Sequence, residues 1–325
     1  MVNFSISREW IETALSRPPV KHGLRAFGQV SLFSIWTLLF RLLAMTLVTS
    51  MLISPETRFS QVTDAFESIE IIISGLGVAT LILISRALSP LAHPRNDDLI
   101  SSWKLEKRFL PGLAIGLTLG ALFTSALILG GTAQWMGSTF TYEDAALTLT
   151  NTLIRSMALF LLVWGDEFFF RSSVQSHFQK FMRVDLAILI TAFCFASTKL
   201  LQFDLGRAQW LTLFLVSLNL GFRTWSDGDF ARAAGVWVGF LLLLHPVLSL
   251  PVLGNDIQGL LSVKTFAPPS NPAIGVPTLF DPSFMGRWIS GGLGGPLSSL
   301  ALQVLIFADT FIRWRKHFRV APEHG

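Results

Sequence analysis

Charged residues and cysteine are both scarce in this sequence. Of its 325 residues only 14% are charged and 51% are hydrophobic, whereas roughly a quarter of the residues are charged in an ordinary soluble domain. Because so few charges cannot cover a water-exposed surface, the composition excludes a soluble fold. The single cysteine, Cys194, excludes an intrachain disulfide and a cysteine metal cluster.

Several other signals are lacking as well. The sequence has no internal repeat, no low-complexity tract and no basic patch with interleaved aromatic residues. Nothing in it therefore indicates a nucleic-acid partner. The first 28 residues are polar and contain Arg8, Glu9 and Glu12, which is not typical of a cleavable signal peptide. We expect the first apolar run to direct membrane insertion.

Eight apolar runs predict an all-α, polytopic membrane protein with about eight transmembrane helices. Apolar runs of about 18 residues or more with few charges typically cross a bilayer as helices. The eight runs are Val30–Ile53, Ile71–Leu88, Phe109–Gly131, Ala145–Phe170, Leu186–Leu201, Ala208–Phe222, Ala233–Leu253 and Ile289–Ile312. The fifth and sixth are short for a full crossing, so either is expected to be tilted, re-entrant or extended by flanking polar residues.

The distribution of basic residues predicts the topology. Basic residues collect on the cytoplasmic side of a membrane. With both termini inside, 18 of the 25 basic residues fall on that side or at adjoining span ends, which favours an even number of crossings. We expect a bacterial cytoplasmic membrane as the location.

The chain is accordingly divided into three parts. A cytoplasmic amphipathic segment is expected over residues 1–28, a transmembrane bundle over 29–313 and a basic cytoplasmic tail over 314–325. The proline- and glycine-rich loop over 254–288 is expected to cap the non-cytoplasmic side.

Ionisable residues inside the apolar runs are candidate functional residues, because a charge within a bilayer is costly. The fourth run contains Asp166 and Glu167, and Arg171 follows it. Glu167 and Arg171 are four residues apart with the acid first, which is the favourable order for an ion pair along a helix. Asp166 lies about 100° around the helix from Glu167 and is free to meet another partner. The alternative is that both acids merely bracket the cytoplasmic end of the span.

The segment from Asp166 to Gln175 resembles the first motif of the CPBP family, the intramembrane endopeptidases related to CAAX prenyl proteases and bacteriocin-processing enzymes. In that motif two adjacent acids are followed, after three residues, by an arginine. A phenylalanine often precedes the arginine, and a glutamine follows soon after. The matching residues here are Asp166, Glu167, Phe170, Arg171 and Gln175. The resemblance covers the chain from about residue 145 to residue 313.

The two later motifs of the family are each changed at one position. The second motif is a phenylalanine followed four residues later by a histidine, and here Phe195 is followed by Lys199. The third motif is a histidine followed four residues later by an asparagine, and here His245 is followed by Ser249.

The resemblance implies an intramembrane endopeptidase acting on a membrane-associated peptide or protein. In the family, an acid of the first motif and the histidine of the second activate water, and the later histidine and asparagine stabilise the oxyanion. The residues carried over as catalytic are Asp166, Glu167, Lys199, His245 and Ser249, with Arg171 and Phe195 as structural residues at the site. No cofactor is implied. Zinc is disfavoured because lysine is a poor ligand and His245 is the only histidine within an apolar run.

The two substitutions leave alternatives open. An ammonium group cannot accept a proton, so only a lysine made neutral by burial could replace the histidine as a base. Alternatively, Lys199 lies near a span end and could extend its ammonium group to the membrane surface, as a snorkelling lysine does. His245 could serve in helix-to-helix hydrogen bonding, and Ser249 could bond back to a helix carbonyl. Moreover, Asp166 and Lys199 can meet only if the fourth helix continues beyond Phe170.

Three classes of function follow from these observations. The first is an active endopeptidase, and the second is a catalytically inactive relative that binds membrane peptides or partner proteins. The third is a transporter, which is the least favoured because no pair of interrupted helices appears in matching halves of the sequence.

Overall fold

The computed structural model describes residues 18–51, 71–81, 104–139, 145–203, 205–228, 230–252, 259–265, 289, 291 and 295–320. Nearly all of these residues are helical, which confirms the prediction of an all-α protein. The helices are α1 (Pro18–Met51), α2 (Ile71–Leu81), α3 (Lys104–Leu129), α4 (Ala145–Gln179), α5 (Val184–Gln202), α6 (Arg207–Asp227), α7 (Phe230–Val247) and α8 (Leu300–Val320). A 3-10 turn, Pro296–Ser298, precedes α8.

Within the described residues, five helices are long and apolar enough to cross a membrane, namely α1, α3, α4, α5 and α7. The protein is therefore an integral membrane protein. Eight crossings and the cytoplasmic placement of both termini stay predictions. Helices α6 and α8 are each 21 residues long, which is sufficient length for a crossing of about 20 residues.

The ends of the bundle differ from the predicted spans. Helix α1 begins at Pro18, where the fixed φ of proline and its missing N–H suit the first turn of a helix. Helix α8 continues to Val320, past the predicted end of the bundle at residue 313. The amphipathic helix expected over residues 5–15 lies outside the described residues.

Two strands add a small sheet that the sequence analysis does not predict. Strand β1 (Ala133–Ser138) pairs antiparallel with strand β2 (Leu261–Thr265), with an irregularity between Trp135 and Gly137. Strand β2 belongs to the loop that we expected to cap the bundle. Residues 254–258 and 266–288 of that loop lie outside the described residues.

Helices α3 and α7 pack at very short range through glycines. Gly112 and Gly116 of α3 are four residues apart, as are Gly235 and Gly239 of α7, so each pair lies on one helix face. A Cβ atom at Gly116 would overlap the carbonyl oxygen of Val236. Small residues allow this approach of two backbones, as is common between transmembrane helices.

Helix α1 covers one face of the α4 and α5 pair. The ring of Phe33 stacks on that of Phe169 with centroids 4.5 Å apart. The hydroxyl oxygens of Ser34 and Thr198 lie 3.2 Å apart, which joins α1 to α5. These contacts place the inner faces of α4 and α5 away from the lipid.

Helix α4 changes its hydrogen-bonding pattern in the region of the predicted site. It is an α-helix over Ala145–Glu167, a π-helix over Phe168–Gln175 and an α-helix again over Ser176–Gln179. The helix thus continues beyond Phe170 without a break, and Asp166 lies about 20 Å from its carboxyl end. Short π segments inside helices are frequent at functional sites.

We predict that Gly116→Ala destabilises the protein by about 1–3 kcal/mol, because the added methyl group must push α3 and α7 apart. The matched control is Gly28→Ala in α1, where a Cβ atom meets nothing within 4 Å. The control should be neutral, or stabilising by up to about 1 kcal/mol. Thermal unfolding in detergent measures both changes. Equal stability of the two variants would contradict close packing of α3 on α7.

Candidate active site

Asp166 of α4 and Lys199 of α5 form an ion pair inside the bundle. The distance from Lys199 Nζ to Asp166 Oδ2 is 2.5 Å, and each side chain is only 4% exposed. Lys199 also donates a hydrogen bond to Oε1 of Gln202 at 2.5 Å. Its ammonium group lies over the rings of Phe195 and Phe203, 5.7 and 5.6 Å from their centroids. Lys199 therefore points into the bundle and does not snorkel.

Glu167 makes a separate ion pair with Arg171, as its spacing predicts. Arg171 Nε lies 3.0 Å from Glu167 Oε2, and both side chains are fully buried. A second guanidinium nitrogen, Nη2, donates to the hydroxyl of Ser217 at 2.8 Å. The adjacent acids Asp166 and Glu167 thus face different partners. The four charges balance, with two carboxylates against one ammonium and one guanidinium.

Helix α6 reaches this cluster because it carries small residues on the facing side. Ser217 meets Arg171, and four residues later the carbonyl of Gly221 accepts a 3.4 Å hydrogen bond from Nε2 of Gln175. A Cβ atom at Gly221 would come within 2.7 Å of Ile188 Cγ2 and within 3.3 Å of both Arg171 Nη1 and Gln175 Oε1. A larger residue at position 221 would displace α6 from the cluster.

Five buried polar atoms of this cluster have no hydrogen-bond partner among the described residues. They are Asp166 Oδ1, Glu167 Oε1, Arg171 Nη1, Gln175 Oε1 and Gln202 Nε2. Buried polar atoms are normally hydrogen-bonded to protein or to ordered water. The concentration of three acceptors and two donors in one place is typical of a site that holds water or a polar ligand. Each carboxylate has one oxygen held by a cation and one oxygen unpaired.

Phe195 lies directly beside the Asp166–Lys199 pair. Its ring makes an edge-to-face contact with that of Phe170, with centroids 5.3 Å apart, and its face lies below the ammonium group of Lys199. This position is consistent with the structural role that the resemblance implies for Phe195.

The structure does not bring His245 to the Asp166–Lys199 pair. Helix α7 begins with Phe230, whose ring contacts those of Trp164 and Phe168 on either side of Asp166. His245 lies about 20 Å further along α7 from that contact. Its Nδ1 lies 3.3 Å from the carbonyl oxygen of Leu250.

The surroundings of His245 agree with this separation. The segment Leu243–Val247, which carries His245, packs against α3 and against the Ala145–Glu167 part of α4. The role of His245 on the oxyanion side therefore stays a prediction, because helix spacing alone does not locate a residue along a neighbouring helix. No three His, Cys, Asp or Glu side chains within the described ranges are grouped so as to hold a metal ion.

Ser249 lies beyond the end of the helix that carries His245. The helix that carries His245 ends at Val247, and Ser249 has a left-handed backbone with φ of 55°. Its hydroxyl donates to the carbonyl of Leu261 at 2.7 Å and accepts from the N–H of Gly259 at 2.6 Å. Ser249 therefore fastens the segment leading into β2, and it neither shares a helix face with His245 nor bonds back to a helix carbonyl.

Sequence reasoning missed three residues that contact the cluster, namely Gln202, Ser217 and Gly221. Gln202 follows Lys199 by three residues, so the helix spacing rule could have identified it as a neighbour. Ser217 and Gly221 carry no chemical signal of their own. Their place at the site depends on how α6 packs, which the residues around them in the sequence do not specify.

A family model described as type II CAAX prenyl endopeptidase, Rce1-like, matches residues 148–242. This segment runs from the start of α4 to the end of the α-helical part of α7. It contains both ion pairs and ends before His245 and Ser249. No curated protein and no solved structure matches the chain.

We predict that Arg171→Ala lowers the stability of the protein by on the order of 3 kcal/mol or more, because it leaves the buried Glu167 carboxylate uncompensated. The matched control is Arg183→Ala, which removes an ion pair with Asp185 in which the arginine side chain is 75% exposed. An exposed pair contributes about 1 kcal/mol or less. Melting temperatures in detergent test the difference, and equal shifts for the two variants would count against the buried pair.

Proposed function

We propose, from the match of residues 148–242 to the Rce1-like family model, that the protein is an intramembrane endopeptidase of the CPBP type in which Asp166 activates water. The family match supports a CAAX-type endopeptidase at the level of the family. The observation that carries the proposal for this chain is the asymmetry of the Asp166 carboxylate. Its Oδ2 is held by Lys199, and its Oδ1 is unpaired among the described residues.

The unpaired Oδ1 of Asp166 is the general base. A base must present a free lone pair within hydrogen-bonding reach of the water that it deprotonates, and Oδ1 is the oxygen of this carboxylate that is not engaged by Lys199. Lys199 acts as a positioning residue, because an ammonium group orients the carboxylate but cannot accept a proton.

Two unpaired hydrogen-bond donors are available to stabilise the carbonyl oxygen of the peptide bond during attack by water. As Asp166 takes a proton from water, the hydroxide oxygen bonds to the peptide carbonyl carbon, and negative charge develops on the carbonyl oxygen. Donors aimed at that oxygen lower the barrier most. Arg171 Nη1 and Gln202 Nε2 are the candidates. The proton held by Asp166 then passes to the leaving amine as the C–N bond breaks.

Glu167 is proposed as a positioning residue for Arg171, since it binds Nε of the same guanidinium group that offers Nη1. His245 and Ser249 have no role in this scheme. The substrate is a membrane-associated peptide or protein, because the polar cluster lies among helices that span the membrane.

A catalytically inactive, peptide-binding relative is the second candidate function. The observation that favours it is the Asp166–Lys199 ion pair itself, which neutralises the acid at the position where the family carries a histidine. The unpaired donors and acceptors of the cluster would then hold the polar backbone of a peptide without cleaving it.

We predict that Lys199→His raises cleavage of a fluorogenic CAAX-type peptide by a factor of ten or more in proteoliposomes, because an imidazole can accept a proton at neutral pH. Prenylated and unprenylated peptides should be compared. Adding Asp166→Ala to Lys199→His should abolish the gain. The matched control is Asp185→Ala at the start of α5, a partly exposed aspartate whose loss should leave the rate unchanged.

The possible outcomes separate the two candidates. An active wild-type protein that loses activity on Asp166→Ala supports the endopeptidase. An inactive wild-type protein that becomes active with Lys199→His supports the silent relative. Indifference to both substitutions, in protein shown to be folded, would remove Asp166 and Lys199 from any account of function.

A further inference from the structure

An apolar cavity of about 500 Å³ lies between α3, α6, α7 and α8, away from the Asp166–Lys199 pair. Its size falls within the roughly 300–1,000 Å³ that small-molecule sites occupy. Phe123 of α3, Leu220 of α6, and Trp237 and Phe240 of α7 form much of its wall. Helix α6 separates the cavity from the cluster, because its Ser217 faces Arg171.

One end of the cavity is polar and carries excess positive charge. Arg223 lines this end and binds Oδ2 of Asp309 at 2.7 Å through Nη2. Arg313 binds the same carboxylate oxygen at 3.0 Å through Nε, and Asn219 donates to it at 2.8 Å. Two guanidinium groups thus share one carboxylate. A further anion would complement the remaining positive charge.

The other end of the cavity opens between α3 and α8 onto the apolar surface of the bundle. Leu122 of α3 and Leu305 of α8 both line the cavity and are 63% and 61% exposed. In a membrane-spanning protein, side chains exposed at this depth contact lipid acyl chains. An acyl chain can therefore enter from the bilayer without crossing a polar layer.

We propose that this cavity binds an anionic phospholipid, with an acyl chain along Trp237 and the phosphate at Arg223 and Arg313. Guanidinium groups are well suited to phosphate because they offer parallel N–H donors. The predicted topology places Arg223 and Arg313 at the cytoplasmic face, where anionic lipids are attracted to basic residues. A zwitterionic lipid would fill the apolar part equally well but would not supply the net negative charge.

Fluorescence quenching of Trp237 tests the site in the full chain. The protein is reconstituted into phosphatidylcholine vesicles that contain a few mole per cent of phosphatidylglycerol or phosphatidylcholine brominated on the acyl chain. The contribution of Trp237 is the difference between wild type and Trp237→Phe. We expect brominated phosphatidylglycerol to reach half-maximal quenching of this contribution at a several-fold lower mole fraction than brominated phosphatidylcholine.

Two pairs of variants separate the polar and apolar parts of the site. Arg223→Gln should remove the preference for phosphatidylglycerol. Arg232→Gln, a partly exposed arginine that pairs with Asp227, should retain it. Ala126→Phe, which fills the cavity from α3, should reduce quenching by either lipid, whereas Ala121→Phe on the exposed side of α3 should not. Melting temperatures show whether each variant is folded.

Other results would overturn the assignment. Equal quenching by the two brominated lipids in the wild type would show that the polar end does not select an anion. Abolition of the preference by millimolar inorganic phosphate would indicate a free-anion site instead of a lipid site. Unchanged quenching in a folded Ala126→Phe protein would show that the acyl chain does not enter the cavity.

Discussion

The ion pair between Asp166 and Lys199 constrains the centre of this bundle more than any other contact. A charge taken out of water inside a membrane protein is costly unless an opposite charge meets it closely. With only 2.5 Å between the two groups and 4% exposure of each, α4 and α5 cannot slide or rotate relative to each other without separating two buried charges. The Glu167–Arg171 pair completes a cluster with no net charge, which a membrane interior tolerates better than an unbalanced one.

The features that depend on local sequence could be predicted well. Hydropathy identified the membrane class, and the four-residue spacing identified the Glu167–Arg171 pair, because both depend only on residues near each other along the chain. The extension of α4 beyond Phe170 could not be predicted. The residue after Phe170 is Arg171, and a charged residue at the end of an apolar run normally marks the end of a span. Here Arg171 is buried inside the bundle because Ser217 and Glu167 bind it.

Residue spacing alone does not determine position in the fold. His245 and Ser249 have the spacing of a motif, yet the chain leaves the helix at Val247 and turns with a positive φ at Ser249. Nothing in the spacing reports where a helix ends or how far along a neighbouring helix a residue lies. The pairing of β1 with β2 was missed for a related reason, since it joins segments more than 120 residues apart.

Helix α6 forms a wall shared by two compartments. Ser217 and Gly221 face the polar cluster, while Asn219 and Arg223 face the apolar cavity. Because one rigid helix carries both sets of side chains, neither set can be repositioned alone. A rotation of α6 that follows a change in the contents of the cavity would also move the hydroxyl that orients Arg171, so the occupancy of one compartment becomes mechanically linked to the geometry of the other.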